Sequence, residues 1–186
     1  LKMIFSKLIP HKINFNRSIS NHQVLLKKSI LEKNILVIGG AGTIGFSYIK
    51  QVLKYKPSKI TVVDINENGL TELTRDLRSS NLLDYNPEYI TYPVNLLSDT
   101  FDKIFNSESW QVVANFSAHK HVRSEKDKIS VEALIKNNVF GAIKLLNLCE
   151  GNPPNYFFSV STDKAANPVN IMGASKSLME KLILSK

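Results

Sequence analysis

Seven residues constrain this chain more than any others. Gly39, Gly40, Ala41, Gly42, Thr43, Ile44 and Gly45 follow a short apolar run, residues 34–38, and lead into a segment with helical spacing. They satisfy Gly-x-Gly-x-x-Gly through Gly40, Gly42 and Gly45, and Gly-x-x-Gly-x-x-Gly through Gly39, Gly42 and Gly45. Such a loop needs glycine for a tight turn, for backbone approach to a pyrophosphate, and for close contact of helix and strand. The phosphates would sit at the N-terminal end of the helix, where unpaired N–H groups and the helix dipole favour negative charge. No Gly-Lys-Ser/Thr follows, so this is not a P-loop. About twenty residues on, Asp64 ends the next apolar run, where a carboxylate can bind the hydroxyls of an adenosine ribose. That carboxylate favours NAD, because it would repel the 2′-phosphate of NADP; Arg75 and Arg78, one helix further along, bear on the same choice. The alternative is a glycine-rich structural turn with a strand-capping acid.

The rest of the chain alternates in the same way. Strands are expected at 34–38, 59–64, 89–94, 111–116 and 156–160. Helices are expected at 43–55, 69–80, 99–105, 129–150 and from 173 to the end. In the long fourth helix, Ala133, Ile135, Val139, Ala142, Leu145 and Leu146 are the apolar positions, and Gly151, Pro153 and Pro154 stop it. Strands alternating with helices imply an α/β fold, a Rossmann-type doubly wound parallel sheet covered on both faces. A six-stranded version would need at least one strand more than the five read here, so the expected domain stops short of a substrate-binding part.

Charge is distributed unevenly. The chain of 186 residues carries a net +8, and Lys2, Lys7, Lys12, Arg17, Lys27 and Lys28 supply +6 of it with no acid before Glu32. The remainder is therefore close to neutral, which argues against a nucleic-acid-binding body. Residues 1–32 read as a basic N-terminal extension and residues 33–186 as the NAD-binding domain. Ile4, Phe5, Leu8, Ile9, Ile13 and Phe15 make the extension apolar as well as basic. A membrane-surface contact through residues 1–31, a partner-docking arm, a transit-like peptide and a packing extension or disordered leader all fit that composition. A single cysteine, Cys149, forbids an internal disulfide and fits a reducing, cytoplasmic setting, with the inner membrane surface as a further option through the tail. His119 and His121 invite a metal reading, but no cysteine or carboxylate cluster accompanies them, so no metal is expected.

Ligands of open α/β sheets bind at the carboxyl ends of the strands. Ser161, Thr162, Asp163 and Lys164 follow the fifth strand directly, and Met172 and Lys176 are an i, i+4 pair at the start of the last helix. A lysine rising from that helix can hold a nicotinamide ribose and lower the pKa of nearby acids. Thr162, Asp163 and Lys164 offer a hydrogen-bond donor, an acid and a base. Taken singly, an Asp-Lys pair is a solvated turn and a methionine at helical spacing is core.

Four blocks together carry a resemblance: residues 39–45 (GGAGTIG), 118–122 (AHKHV), 137–146 (NNVFGAIKLL) and 161–176 (STDKAANPVNIMGASK). Over residues 33–186 the chain resembles the extended short-chain dehydrogenases/reductases. Within them it is similar to the nucleotide-sugar 4,6-dehydratases of the polysaccharide-biosynthesis type, which act on UDP-N-acetylglucosamine. The resemblance implies oxidation of sugar C4 by NAD, loss of water across C5 and C6, and return of the hydride to C6. It implies Asp163 as the acid for the C6 hydroxyl, Lys164 as the base at C5, Thr162 as a hydrogen bond to the C4 oxygen, and Lys176 on the nicotinamide ribose. Met172 takes the tyrosine position of Tyr-x-x-x-Lys, as in the long membrane-attached members. The cofactor set implied is Gly39, Gly42, Thr43, Ile44, Gly45, Asp64, Asn95 and Lys176, with Asn95 where an aspartate commonly meets the adenine. A homo-oligomer paired through the helix at 129–150 is also implied. A nucleotide-sugar epimerase or ketoreductase, and a non-catalytic NAD-binding fragment, are the competing readings.

Overall fold

The computed structural model describes residues 19–119 and 125–186. Helix α1 (Gln23–Ile30) leads into β1 (Asn34–Ile38), α2 (Thr43–Leu53), β2 (Lys59–Asp64), α3 (Glu67–Ser79), β3 (Glu88–Pro93) and α4 (Asp99–Asn106). The second half holds β4 (Val112–Asn115), α5 (Lys128–Ile135), α6 (Gly141–Gly151), β5 (Tyr156–Ser159) and α7 (Ile171–Leu184). The five strands are parallel and lie in the order β3-β2-β1-β4-β5. This is the doubly wound Rossmann arrangement expected from the alternation.

Strand side chains alternate between faces, so each central strand feeds two cores. On one face Ile35 and Val37 of β1 meet Ile49, Val52 and Leu53 of α2 and Leu70, Leu73 and Leu77 of α3. On the other, Leu36 and Ile38 meet Phe101 and Phe105 of α4, Trp110, and Leu145 of α6. Full burial of each such side chain contributes about 1.5–3 kcal/mol, which fixes β1 at the centre and the loop after it at the middle of one sheet end.

Most helices begin with a side chain that accepts from an otherwise unpaired N–H. Asn66 accepts from Gly69 N (3.0 Å), Asp127 from Ser130 N (2.9 Å) and Asn170 from Gly173 N (2.8 Å), starting α3, α5 and α7. Ser98 does the same for α4. Helix α2 differs: its N-cap is Gly42, with no capping side chain and no acid in the first turn among the described residues.

The helix expected at 129–150 is interrupted. Between α5 and α6, Lys136–Phe140 form one wide π turn. Such bulges are frequent at functional sites, and this one carries Asn138, which is 2% exposed. Among the described residues no helix is long and apolar enough to cross a membrane. Most of the basic tail, residues 1–18, and His121 lie outside the described residues.

Candidate functional site

The carboxyl ends of the strands open onto one groove with two lobes. Gly39, Gly42, Phe116 and Ala118 belong to both. The first lobe, about 300 Å³, is closed by Ile44, Val160, Ser161, Thr162, Met172 and Lys176. The second, about 460 Å³, is closed by Asp64, Ile65, Asn95, Leu96, Lys136 and Asn137 among others. Both volumes fall in the range of small-molecule sites. The groove straddles β1 and β4, where the chain direction across the sheet reverses and ligands of such folds bind.

Between the lobes lies the glycine loop. Gly39 has φ +75°, and a Cβ there would stand 2.5 Å from Ser117 N, so both conformation and space demand glycine. Gly42 is different: a Cβ would meet only Gly39 O, at 3.5 Å, and would otherwise enter the groove. With no side chain capping α2, its first amides and the positive end of its dipole are left for an anion. Gly45 brings α2 against the loop, a Cβ there falling 2.5 Å from Gly39 O.

In the second lobe Asp64 is held by backbone N–H groups. Its Oδ2 accepts from Ala41 N (2.9 Å) and its Oδ1 from Asn66 N (3.0 Å). A carboxylate has about four acceptor sites, so this clamp fixes the group and still leaves lone pairs for ligand hydroxyls. Asn95 turns back on its own loop, Oδ1 accepting from Leu97 N (2.8 Å).

The first lobe is built by the end of β5 and by α7. Lys176 is 3% exposed, and its Nζ donates to Val160 O (3.0 Å). Burial lowers its pKa to about 8, with Glu180 opposing. Met172, 2% exposed, lies one helical turn before it on the same wall. The start of α7 is wedged in place: Met172 N donates to Glu125 Oε1 (2.6 Å), and Gly173 packs directly against Lys164 O. Asn138 adds a clamp from the π turn. It accepts from His119 N (2.9 Å) and donates to His119 O and to Ser175 Oγ (both 3.0 Å), tying the β4 loop to α7.

Asp163 and Lys164 occupy a single 3-10 turn at the mouth of this lobe rather than its wall. Thr162 Oγ1 donates to Asp163 Oδ1 (2.9 Å), and Lys164 Nζ reaches the same oxygen at 3.4 Å. The Thr162 bond, then the Lys164 charge, hold the Asp163 carboxyl below its ordinary range. Both charged side chains are open to solvent, Asp163 at 87% and Lys164 at 50%.

Eight of the residues expected from sequence therefore line one groove: Gly39, Gly42, Ile44, Gly45, Asp64, Asn95, Thr162 and Lys176. Thr43 stands at the first turn of α2 beside it, its carbonyl taken by Ser47 Oγ. Two residues of the site carry no sequence signal of their role: Asn138 and Glu125. Asn138 lies within the block at 137–146, but its role depends on the π turn. Glu125 acts across 47 residues of chain, and no local pattern marks it. Ser161 Oγ is buried with no hydrogen-bond partner among the described residues.

The apolar walls, the glycine cradle at an uncapped helix, the clamped acid at one end and the buried lysine at the other fit an elongated ligand with a central anion and hydroxyls on both sides. Comparison with known proteins agrees with that geometry. A family model described as polysaccharide biosynthesis protein matches residues 35–186. An uncharacterized membrane protein of Methanocaldococcus jannaschii is 36% identical over 157 residues, spanning 83% of this chain and 43% of that protein. A UDP-N-acetylglucosamine 4,6-dehydratase (inverting) of Campylobacter jejuni is 32% identical over 157 residues, spanning 82% of this chain and 43% of the enzyme. Among solved structures, Pen from Bacillus thuringiensis superimposes with a TM-score of 0.72 at 28% identity, over 84% of this chain and 47% of Pen. The chain thus spans less than half the length of each of these relatives. On the match over residues 35–186 and the groove it encloses, this chain belongs to the polysaccharide biosynthesis protein family of extended short-chain dehydrogenases/reductases.

Proposed function

We propose that residues 33–186 form the NAD-binding and catalytic half of a nucleotide-sugar 4,6-dehydratase acting on a UDP-sugar, UDP-N-acetylglucosamine first among them. The observation that carries this reading is one groove with Asp64 at one end, Lys176 at the other and an uncapped helix N-terminus between. Asp64 binds the adenosine ribose, which favours NAD over NADP, and the amides at the start of α2 take the pyrophosphate. Lys176 holds the nicotinamide ribose. When bound, NAD supplies the oxidant for sugar C4.

The chain's own groups do the rest. Thr162 Oγ1 hydrogen-bonds the C4 oxygen. Oxidation at C4 would release its hydroxyl proton to solvent; the resulting ketone acidifies the C5 proton, which Lys164 removes while Asp163 protonates the departing C6 hydroxyl, and the hydride taken from C4 would return to C6. Asp163 is held ionised in the open turn by Thr162 and Lys164. A sugar closing over that turn would exclude water and raise its pKa, giving the acid its proton. The thioether of Met172 neither gives nor takes a proton; it packs the wall beside Lys176. An epimerase has less need of the Asp163–Lys164 pair, which supports the dehydratase reading over it.

Two measurements test the proposal. Calorimetry should show NAD binding to this chain, with NADP at least about tenfold weaker. Incubation with UDP-N-acetylglucosamine should give a 4-keto-6-deoxy product from a protein of the relatives' full length and little or none from these 186 residues. Absence of NAD binding, or robust turnover of sugar by the 186-residue chain, would contradict it.

A further inference from the structure

Three hydroxyls among the described residues are buried without a hydrogen-bond partner: Thr61, Tyr85 and Ser161. Thr61 lies within β2, and Tyr85 lies at the opposite end of the sheet, near Pro57 and Pro87. Ser161 alone lies on the groove, between Val160 and Thr162 and on the same wall as Met172 and Lys176.

Every other hydroxyl around it is engaged. Ser159 Oγ reaches Met179 Sδ (3.5 Å) and accepts from Asn115 Nδ2 (3.0 Å). Thr162 Oγ1 is taken by Asp163, and Ser175 Oγ donates to Met172 O (2.7 Å) while accepting from Asn138. Lys176 Nζ gives one of its three N–H bonds to Val160 O. A folded chain that satisfies each of these groups and leaves one hydroxyl unmade at its ligand groove carries a cost in the free state. That cost is recovered when a ligand supplies the missing partner. The first lobe is lined by Ser161 and the second is not, so the partner belongs to whatever fills the first lobe.

We propose that Ser161 Oγ is a hydrogen-bonding contact for the nicotinamide half of the dinucleotide. The inference rests on the NAD reading above and adds to it a residue that positions the reactive end of the cofactor. The contact tightens NAD without touching the adenosine half, and Ser161 is a small destabilisation in the free protein.

The test uses Ser161→Ala in the 186-residue chain with two probes, NAD and ADP. ADP carries only the adenosine half and the pyrophosphate, so it reports on the second lobe and the glycine loop. Binding is read by calorimetry and the fold by thermal melting without ligand. The expected result is NAD bound about 5–20-fold more weakly, ADP unchanged within about twofold, and a Tm equal to or above that of the wild type. Unchanged NAD affinity would overturn the proposal and leave Ser161 to a buried water. A lowered Tm with NAD and ADP weakened together would also overturn it, by assigning the hydroxyl to the fold. If the wild-type chain bound ADP and not NAD, the dinucleotide reading itself would fail, and this inference with it.

Discussion

Replacing Lys176 by methionine separates what the lysine does for the fold from what it does for the ligand. The ammonium is buried, and burial takes its pKa from 10.5 to about 8. At about 1.4 kcal/mol per pKa step, the charged form is disfavoured by about 3 kcal/mol in the folded state. Losing the bond to Val160 O returns about 1 kcal/mol. Lys176→Met should therefore raise stability at pH 7 by about 2 kcal/mol, about 4–8 °C in Tm for a domain of this size. The pH dependence is sharper. Below pH 8 both folded and unfolded lysine hold the proton, so the whole penalty is present. Between pH 8 and 10.5 the unfolded chain binds more protons, so this group makes stability rise with pH. Above 10.5 both forms are neutral and the penalty is gone. Burial pushes Tyr48 to about 12 and Cys149 to about 11, and these oppose the rise at alkaline pH, but they are common to both proteins and cancel in the difference. Urea unfolding of both proteins at several pH values from 7 to 10.5 gives that difference directly. The mutant's advantage should shrink steadily across the upper part of that range, while its NAD affinity is at least about tenfold weaker throughout. A difference that stays flat with pH, or a mutant less stable than wild type at pH 7, would refute the claim that a buried charge is being held for a ligand.

Two neighbouring glycines should respond in opposite ways. Gly42→Ala has room for its methyl and should melt within about 2 °C of wild type but lose NAD, whereas Gly39→Ala meets Ser117 N at φ +75° and should unfold or lose more than about 2 kcal/mol by urea titration. Asp64→Asn keeps an acceptor for Ala41 N and removes the charge, so the preference for NAD over NADP should fall towards one by calorimetry. Asn138→Ala leaves His119 N and His119 O without this partner and removes one of the two bonds of Ser175 Oγ, and should cost about 2–4 kcal/mol in urea unfolding, with Asn138→Asp recovering only part of it.

Much of the fold is legible in the sequence. Strand positions follow from apolar runs between breakers, and β3 differs from its expected 89–94 by one residue at each end. The last helix begins at Ile171 rather than 173, because the Asn170 side chain caps it two residues earlier than the apolar spacing suggests. The glycine loop is readable because backbone needs select glycine whatever surrounds it. Asn138 is not, because a single wide turn leaves the apolar period of the flanking helices almost unchanged. Asp163 and Lys164 stand at the end of β5, as their place in the chain implies, but exposure is a tertiary property, and no spacing reports that they lie at the rim rather than on the wall. Glu125 reaches Met172 N only because distant parts of the chain meet in space.

Everything proposed for this groove depends on where one dinucleotide lies. A crystal structure of this chain with NAD tests that most directly. The expected result has the adenosine ribose on Asp64, the pyrophosphate within hydrogen-bond reach of the amides at 42–44, and the nicotinamide ribose on Lys176. NAD found outside the groove, or lying with its nicotinamide at Asp64, would contradict it.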